Sequence, residues 1–385
     1  MDQIDELLTR GVANIIPSKT ALEKVLRSGS KLNVYLGIDP TSTHLHLGNA
    51  THLRRLQTLS DLGHHVTFLI GDFTALIGDT SDKDSERPIL TRNQIDANWQ
   101  TYKVQAERFI DFSQVTIRRN SEWLSKLDFE NTIKLVQQFS LNDFISRELI
   151  KKRLASPDVT IRLDETLYPI MQGYDSWSMD TDLQIGGTDQ TFNMQAGRIL
   201  QRKWRNKDSF ILAGEFLEGT DSRKMSKSWN NAIWLDDEPN EMYGKVMSLK
   251  DDLIHRYFLL ATNLPQSDIP ASGHPMELKK QLAWQIVSEL HSKDAANTAQ
   301  SYFESTFQQG QTPADIPDVH IKSTNIIDAL VESGLAESKS AARRLIDQGG
   351  VQVDGQKVTD STYNLQPTTD NLIRVGRKYA KIKGV

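Results

Sequence analysis

Two short stretches hold side chains suited to handling a phosphate chain. The first is the loop Asp39-Pro40-Thr41-Ser42-Thr43-His44-Leu45-His46-Leu47-Gly48-Asn49, with two imidazoles, a glycine and an amide close together. The second is Lys224-Met225-Ser226-Lys227-Ser228, in a polar run from Glu218 to Asn231. Two lysines three apart in a flexible loop suit a triphosphate whose charge must be neutralised as part of it leaves. Neither stretch is a glycine-rich cradle. The chain has no GxGxxG and no GxxxxGK[ST], so neither a dinucleotide fold nor a P-loop is indicated.

The elements around the first loop explain how it would be held. Asn33 to Ile38 (NVYLGI) reads as a buried strand. Leu53, Leu56, Leu59 and Leu62 recur at helical spacing, Gly63 supplies a stop, and Val66 to Ile70 reads as a second strand. Strand, loop, helix and strand make a βαβ unit with a right-handed crossover. The loop therefore lies at the carboxyl end of a parallel strand, where open α/β sheets bind ligands. The following helix turns its free N–H groups toward the same place, which favours phosphate.

Together the two stretches resemble the paired signatures of class I aminoacyl-tRNA synthetases. His46 to Asn49 (HLGN) matches the "HIGH" element, and residues 224–228 match "KMSKS" in full. Further segments are similar to the tyrosyl-tRNA synthetases: Tyr35 to Thr41 (YLGIDPT), Ala75 to Asp79 (ALIGD), Tyr168 to Asp175 (YPIMQGYD) and Leu183 to Gln190 (LQIGGTDQ). The resemblance covers nearly the whole chain. It implies a two-step reaction, in which tyrosine attacks the α-phosphorus of ATP and the tyrosyl group then passes to tRNA(Tyr). His46, Asn49 and Thr41 would contact the phosphates in the transition state, and Lys224 and Lys227 would clamp the leaving pyrophosphate. Gly37, Asp39, Gly48, Gly187 and Asp189 would line the nucleotide site, with Asp189 accepting from the ribose. Tyr35 and Asp175 would bond the substrate phenol, and Asp79, Tyr168, Gln172 and Gln190 would hold its ammonium group. Mg²⁺ would accompany ATP on phosphate oxygens, with no dedicated protein cage. Three departures stand out: Asn49 replaces a second signature histidine, Thr80-Ser81-Asp82-Lys83 replaces Pro-Ser-Gly-Lys, and Thr191-Phe192 replaces a Trp-containing pair.

Composition agrees with a globular enzyme. Of 385 residues, 38% are apolar and 25% charged, and no apolar run approaches a membrane span. Cysteine is absent, which leaves no disulfide or thiolate metal site and makes the cytoplasm the expected compartment. Net charge is −5, yet residues 321–385 hold ten Lys/Arg against seven Asp/Glu. A basic tail on an acidic body suggests localised contact with a polyanion.

The fold class expected is α/β: a Rossmann-like doubly wound parallel sheet with a helical insertion, then an α-helical domain and a small α+β RNA-binding tail. Periodicity suggests helices over 1–30, 91–112, 121–152, 164–180 and 192–204, with short strands at Val115 to Arg118, Leu183 to Ile185 and Phe210 to Leu212. The expected domains are 1–235, catalytic, with a dimerising insertion at about 80–160; 236–310, helical and tRNA-binding; and 321–385. Gln308 to Pro317 reads as a linker. The tail shows two helices (Ile326 to Ser333, Ser338 to Asp347) and an Asp-Gly hairpin at Val351 to Val358. It resembles an αL-type RNA-binding domain, which implies that Ser340, Arg343, Arg344, Arg377, Lys378 and Lys381 face RNA. Two alternatives stay open on sequence: the sister enzyme for tryptophan, and a paralogue with another acceptor.

Overall fold

Parallel strands are stable only when both faces are covered, so their positions read as continuous apolar runs. The computed structural model describes residues 2–79, 90–156, 161–226, 229–308, 316, 318–366, 370–376 and 378–383. Strands Val12–Ile16 (β1), Asn33–Ile38 (β2), His65–Ile70 (β3), Thr116–Arg119 (β4), Leu183–Gly187 (β5) and Phe210–Gly214 (β6) form one sheet, in the order β1-β6-β5-β2-β3-β4. All neighbours run parallel except β1, which pairs antiparallel with β6 at the edge. The chain winds from β2 outward to β4 and then returns to β5. The strand order therefore reverses between β2 and β5, where an open sheet leaves a crevice at its carboxyl ends.

The βαβ unit forms as its spacing predicts. Helix Leu47–Asp61 (α1) buries Leu47, Leu53, Leu56 and Leu59. Gly63 takes φ +77°, a left-handed conformation that ends the helix before β3. Truncating one of these leucines to alanine would cost about 2–5 kcal/mol. Helix Arg92–Ala106 (α2) starts on a Thr91/Gln94 capping box. Helices Tyr168–Ser178 (α3) and Thr191–Arg205 (α4) flank β5. They cross where α3 has Gly173 and α4 has Gly197. A Cβ on Gly173 would lie 3.0 Å from the Ala196 backbone, and one on Gly197 would lie 2.7 Å from Ser176 Cβ.

Some expectations are corrected. Residues 1–30 are not wholly helical: Gln3–Leu7 and Lys19–Arg27 are helices, but Val12–Ile16 between them is the edge strand β1. The helical stretch expected over 121–152 is divided among four short helices, Ser121–Leu124, Phe129–Val136, Leu141–Ile145 and Glu148–Leu154. The last of these is fixed by a fully buried bidentate pair, Arg153 to Glu165, at 2.7 and 3.2 Å.

The chain divides into two compact units, residues 1–297 and 298–385. The helices between Pro239 and Leu290 belong to the first. One of them, Ile254–Ala261, braces the site's supports. Its carboxyl end accepts from Thr51 and Arg54 of α1, and Tyr257 donates to the Glu218 carbonyl on the loop after β6. In the second unit, Asp318–His320 (β7), Val351–Val353 (β8), Gln356–Val358 (β9), Asn371–Val375 (β10) and Lys378–Lys383 (β11) form a sheet in the order β7-β11-β10-β8-β9. Helices Ile326–Glu332 and Lys339–Asp347 complete a core of Ile326, Leu330, Ile346, Val351, Ile373 and Ile382. The Asp-Gly hairpin is as predicted, with Asp354 at φ +49° and Gly355 at +79°. The sequence offers no sign of strand β7, and the basic stretch from Leu372 to Ile382 folds as the hairpin β10–β11.

Candidate active site

A cavity of about 290 Å³ opens at the carboxyl ends of β2 and β5. It is lined by residues from stretches far apart in the chain, including Tyr35, Asp39, His46, Asn49, Asp79, Asp175, Asp189 and Lys224. Backbone pairing ties the first signature stretch to the segment that follows the second. The Leu47 N–H donates to the Ile233 carbonyl at 3.0 Å, the Leu235 N–H donates to the Leu45 carbonyl at 2.9 Å, and His46 and Trp234 form an isolated bridge. The segment that follows the lysine loop is therefore stitched to the start of α1.

One end of the cavity is built for a hydroxyl group. Tyr35 and Gln184 are register partners on β2 and β5, both buried, and the Tyr35 hydroxyl donates to Gln184 Oε1 at 3.1 Å. Gln184 Nε2 is committed to the Met194 carbonyl at 2.9 Å, so its oxygen must face Tyr35. Burial, and then the nearby Asp175 charge, push the Tyr35 hydroxyl well above its usual pKa. Asp175 itself is 3% exposed and accepts from Trp123 Nε1 at 2.7 Å and Asn120 Nδ2 at 3.2 Å. Burial still dominates and raises its carboxyl to about 7, despite those two donors. Tyr168, Gln172 and Asp175 all reach the cavity from α3, as their spacing predicts.

The middle carries anionic groups. The Tyr168 hydroxyl donates to Asp39 Oδ2 at 2.8 Å, and Thr74 donates to the other oxygen at 2.8 Å. Gln190 donates to Asp79 at 2.6 Å. Thr41 and Gly37 also line the cavity here.

The far end suits a nucleotide. His46 is the N-cap of α1, and its N–H donates to Asn49 Oδ1 at 3.0 Å. That bond leaves the amide nitrogen of Asn49 as the group able to donate elsewhere. Lys224 Nζ lies 3.0 Å from Asp189 Oδ2. Burial alone would raise the Asp189 carboxyl, but the Lys224 ammonium and hydrogen bonds hold it below the usual range. Gly48 and Gly187 both line the cavity, and a Cβ on Gly187 would lie 2.4 Å from Asp189 Oδ1. Lys227 lies outside the described residues, as do the Thr80–Lys83 departure and Arg377. In the second unit, Ser340, Arg343, Arg344 and Lys378 are exposed, and Lys381 is half-buried and paired with Asp370 at 3.3 Å.

Sequence reasoning missed several residues that shape this site. Gln184 was passed over inside a strand, Asn120 just before an expected helix and Trp123 inside it, and His52 on α1 as an ordinary helix position. Only the pairing of Tyr35 with Gln184 had a signal, since both fall on adjacent parallel strands.

Comparison with known proteins gives concordant matches. A family model described as tRNA synthetases class I (W and Y) matches residues 27–308, and one described as the tyrosine–tRNA ligase SYY-like C-terminal domain matches 307–379. The chain is 39% identical over 390 residues to the tyrosine–tRNA ligase of Thermotoga maritima, covering 98% of this chain and 97% of that protein. It is 40% identical over 394 residues to that of Shewanella oneidensis, covering 99% and 98%. Among solved structures, a C-terminally truncated mitochondrial tyrosyl-tRNA synthetase of Coccidioides posadasii is similar at TM-score 0.62 and 23% identity, covering 78% of this chain and 91% of that one. The tyrosyl-tRNA synthetase of Archaeoglobus fulgidus, solved with L-tyrosine, is similar at TM-score 0.60 and 20% identity, covering 78% and all of that chain. At these identities the structures speak to the fold alone.

Proposed function

The chain belongs to the tyrosine–tRNA ligases of class I, and we propose that it performs their reaction through the cavity between β2 and β5. The enzyme activates L-tyrosine with ATP and transfers the tyrosyl group to tRNA(Tyr), releasing pyrophosphate and then AMP. The tail match and the named relatives favour tyrosine over tryptophan.

The tyrosine phenol enters between Tyr35 and Asp175 and donates to the Asp175 carboxylate. Asp79, Tyr168, Gln172 and Gln190 surround its ammonium group. A site built to bond a hydroxyl rejects phenylalanine, because its own polar groups would be left unpaired; tyrosyl-tRNA synthetases are the standard example. ATP lies across Gly37, Asp39, Gly48 and Gly187, with its phosphates toward the N-terminus of α1. The tyrosine carboxylate attacks the α-phosphorus and the bond to pyrophosphate breaks. His46, Thr41 and the Asn49 amide donate to the phosphoryl oxygens as charge builds, an electrostatic contribution that needs no covalent intermediate. Lys224 rests on Asp189 and exchanges that carboxylate for pyrophosphate when ATP binds, which frees Asp189 for the ribose hydroxyls; Lys227 joins it. Mg²⁺ arrives with ATP as part of the substrate.

The helices between Pro239 and Leu290 and the tail, with Arg343, Arg344, Arg377 and Lys378, bind the tRNA. The insertion joins two copies into a homodimer. Its helices leave Phe129 80% and Leu141 63% exposed, and Leu163 just beyond is 81% exposed, apolar side chains that a second copy would cover. Phe129→Glu with Leu163→Glu is expected to halve the mass found by sedimentation equilibrium. No helix among the described residues is long and apolar enough to cross a membrane, and we place the enzyme in the cytoplasm.

The observation that carries this reading is the convergence of a phenol-sized polar end (Tyr35, Asp175) and a phosphate-facing end (His46, Asn49, Lys224) in one cavity. ATP–pyrophosphate exchange tests it. Exchange should depend on tyrosine, and tryptophan or phenylalanine should not replace it. Exchange driven equally by phenylalanine would refute the pocket assignment.

A further inference from the structure

Asn231 stands three residues past the second signature stretch and has no part in the scheme above. It is 2% exposed, although the run around it is polar. We propose that Asn231 is a positioning residue for the activation step: its side-chain amide fixes the backbone from which Lys224 reaches the pyrophosphate. The proposal rests on the reading that Lys224 meets that group.

Both polar atoms of the amide are engaged, and their partners all lie on the strip 221–226. Oδ1 accepts from the Ser226 N–H at 2.9 Å. Nδ2 donates to Asp221 Oδ1 at 2.7 Å and to the Lys224 carbonyl at 3.1 Å, with the Arg223 carbonyl at 3.4 Å. A backbone N–H can only donate and a carbonyl only accept, so the amide has one orientation here. The main chain adds a further tie, from the Thr220 N–H to the Asn231 carbonyl at 3.0 Å. Gly219 makes the room. A Cβ there would lie 2.4 Å from Asn231 Cγ and 2.5 Å from its Nδ2.

The same strip pairs with the chain that leads into it. The Gly219 N–H donates to the Arg223 carbonyl at 2.7 Å, the Met225 N–H donates to the Leu217 carbonyl at 2.8 Å, and Glu218 and Lys224 face each other between these bonds. Lys224 therefore occupies a non-hydrogen-bonded position of the antiparallel pair, and its own carbonyl points away from Glu218. Asn231 supplies the donor that this carbonyl needs. With one edge of the strip held by 217–219 and the other by Asn231, Lys224 reaches Asp189, at 3.0 Å, from a fixed base. Less of the chain is then left to be ordered when the bond to pyrophosphate breaks.

The test uses the full-length enzyme in tyrosine-dependent ATP–pyrophosphate exchange. Asn231→Ala is expected to lower kcat/KM for ATP about thirtyfold, the worth of two neutral hydrogen bonds, with KM for tyrosine within about twofold. Gly219→Ala, which displaces the amide, should do the same with residue 231 intact. Asn231→Asp separates the bonds from mere shape. It matches the amide in size and keeps the acceptor for Ser226, but it sets a carboxylate against Asp221. Desolvation alone would raise the Asp221 carboxyl, yet the bonds from Asn231 and Arg223 hold it well below the usual range, so Asp221 is charged. Asn231→Asp should therefore be at least as impaired as Asn231→Ala. A double-mutant cycle reads the link to Lys224: in an enzyme that already carries Lys224→Ala, Asn231→Ala should cost less than about threefold more. Should Asn231→Ala not fold, the cycle is run with Gly219→Ala. The proposal falls if Asn231→Asp keeps full activity, or if the two losses multiply in the double variant, as they would for a general structural role. A Lys224→Ala enzyme with undiminished exchange would instead bring down the reading of Lys224 itself.

Discussion

Asp175 is a buried carboxyl with two donors aimed at it, and its proposed contact with the substrate phenol needs it charged. Its folded-state pKa of about 7 stands above an ordinary value of 3.8 because burial outweighs the donors Trp123 and Asn120. A group whose pKa is raised on folding stabilises the chain below its unfolded pKa, and that contribution is lost as pH rises through the folded value. The displacement here corresponds to about 4 kcal/mol lost between pH 4 and just above pH 7. Asp175→Asn removes the charge but puts an amide opposite Asn120. Asn120 cannot flip to suit it, since its oxygen accepts from the Phe73 N–H and its nitrogen donates to Thr74. One hydrogen bond is therefore lost, at about 1 kcal/mol. In urea unfolding, the stability of Asp175→Asn relative to its parent should increase by about 2–3 kcal/mol from pH 5 to pH 8. A flat difference would show that Asp175 titrates normally. Function should move the other way. The variant should lose its preference for tyrosine over phenylalanine, and in the parent KM for tyrosine should fall as pH rises through about 7, as the carboxylate that accepts the phenol forms.

The crossing of α3 and α4 sets the tyrosine end against the nucleotide end, because α3 carries Tyr168, Gln172 and Asp175 while Gln190 and Asp189 lead into α4. A methyl group on Gly173 would press on the Ala196 backbone, which cannot yield as a side-chain tip can. Gly173→Ala is therefore expected to destabilise the fold by about 1–3 kcal/mol by overpacking, despite alanine's better helix propensity. It should also raise KM for tyrosine more than KM for ATP, measured by exchange, since Gln172 is its neighbour. Unchanged or increased stability would mean that the helices part freely. The same crossing shows what was readable beforehand. The apolar strands β2, β3 and β5, the stop at Gly63 and the α3 face were legible because one local period decided each. The edge strand β1 was not: its pattern alternates weakly, and its state is set by the free edge of β6, not by its own residues. Gln184 was missed for a related reason. Its role depends on a tyrosine brought alongside by another strand, which no local window contains.

At the scale of the molecule, charge and core are divided between the two units. The body is acidic, and residues 321–385, with ten Lys/Arg against seven Asp/Glu and with Arg343, Arg344 and Lys378 exposed, are the stretch best suited to attract an RNA backbone. Every residue that lines the cavity falls within 1–297, while the tail has a separate apolar core and sheet. The reaction's two steps should therefore part company when the tail is removed. The cut must come before Asp318, because Asp318–His320 pairs with Lys378–Lys383 and belongs to the tail sheet. An enzyme ending at residue 315 should retain tyrosine-dependent pyrophosphate exchange within about twofold, since every residue proposed to touch tyrosine or ATP lies in the first unit. Transfer to tRNA(Tyr) should fall by about a hundredfold or more at physiological salt and recover in part at low salt, where the weaker phosphate contacts proposed for the helical segment would count for more. Loss of both activities in a truncated enzyme with an intact fold would show that the tail supports the catalytic unit itself; charging that survived at full rate would place tRNA recognition wholly on the body.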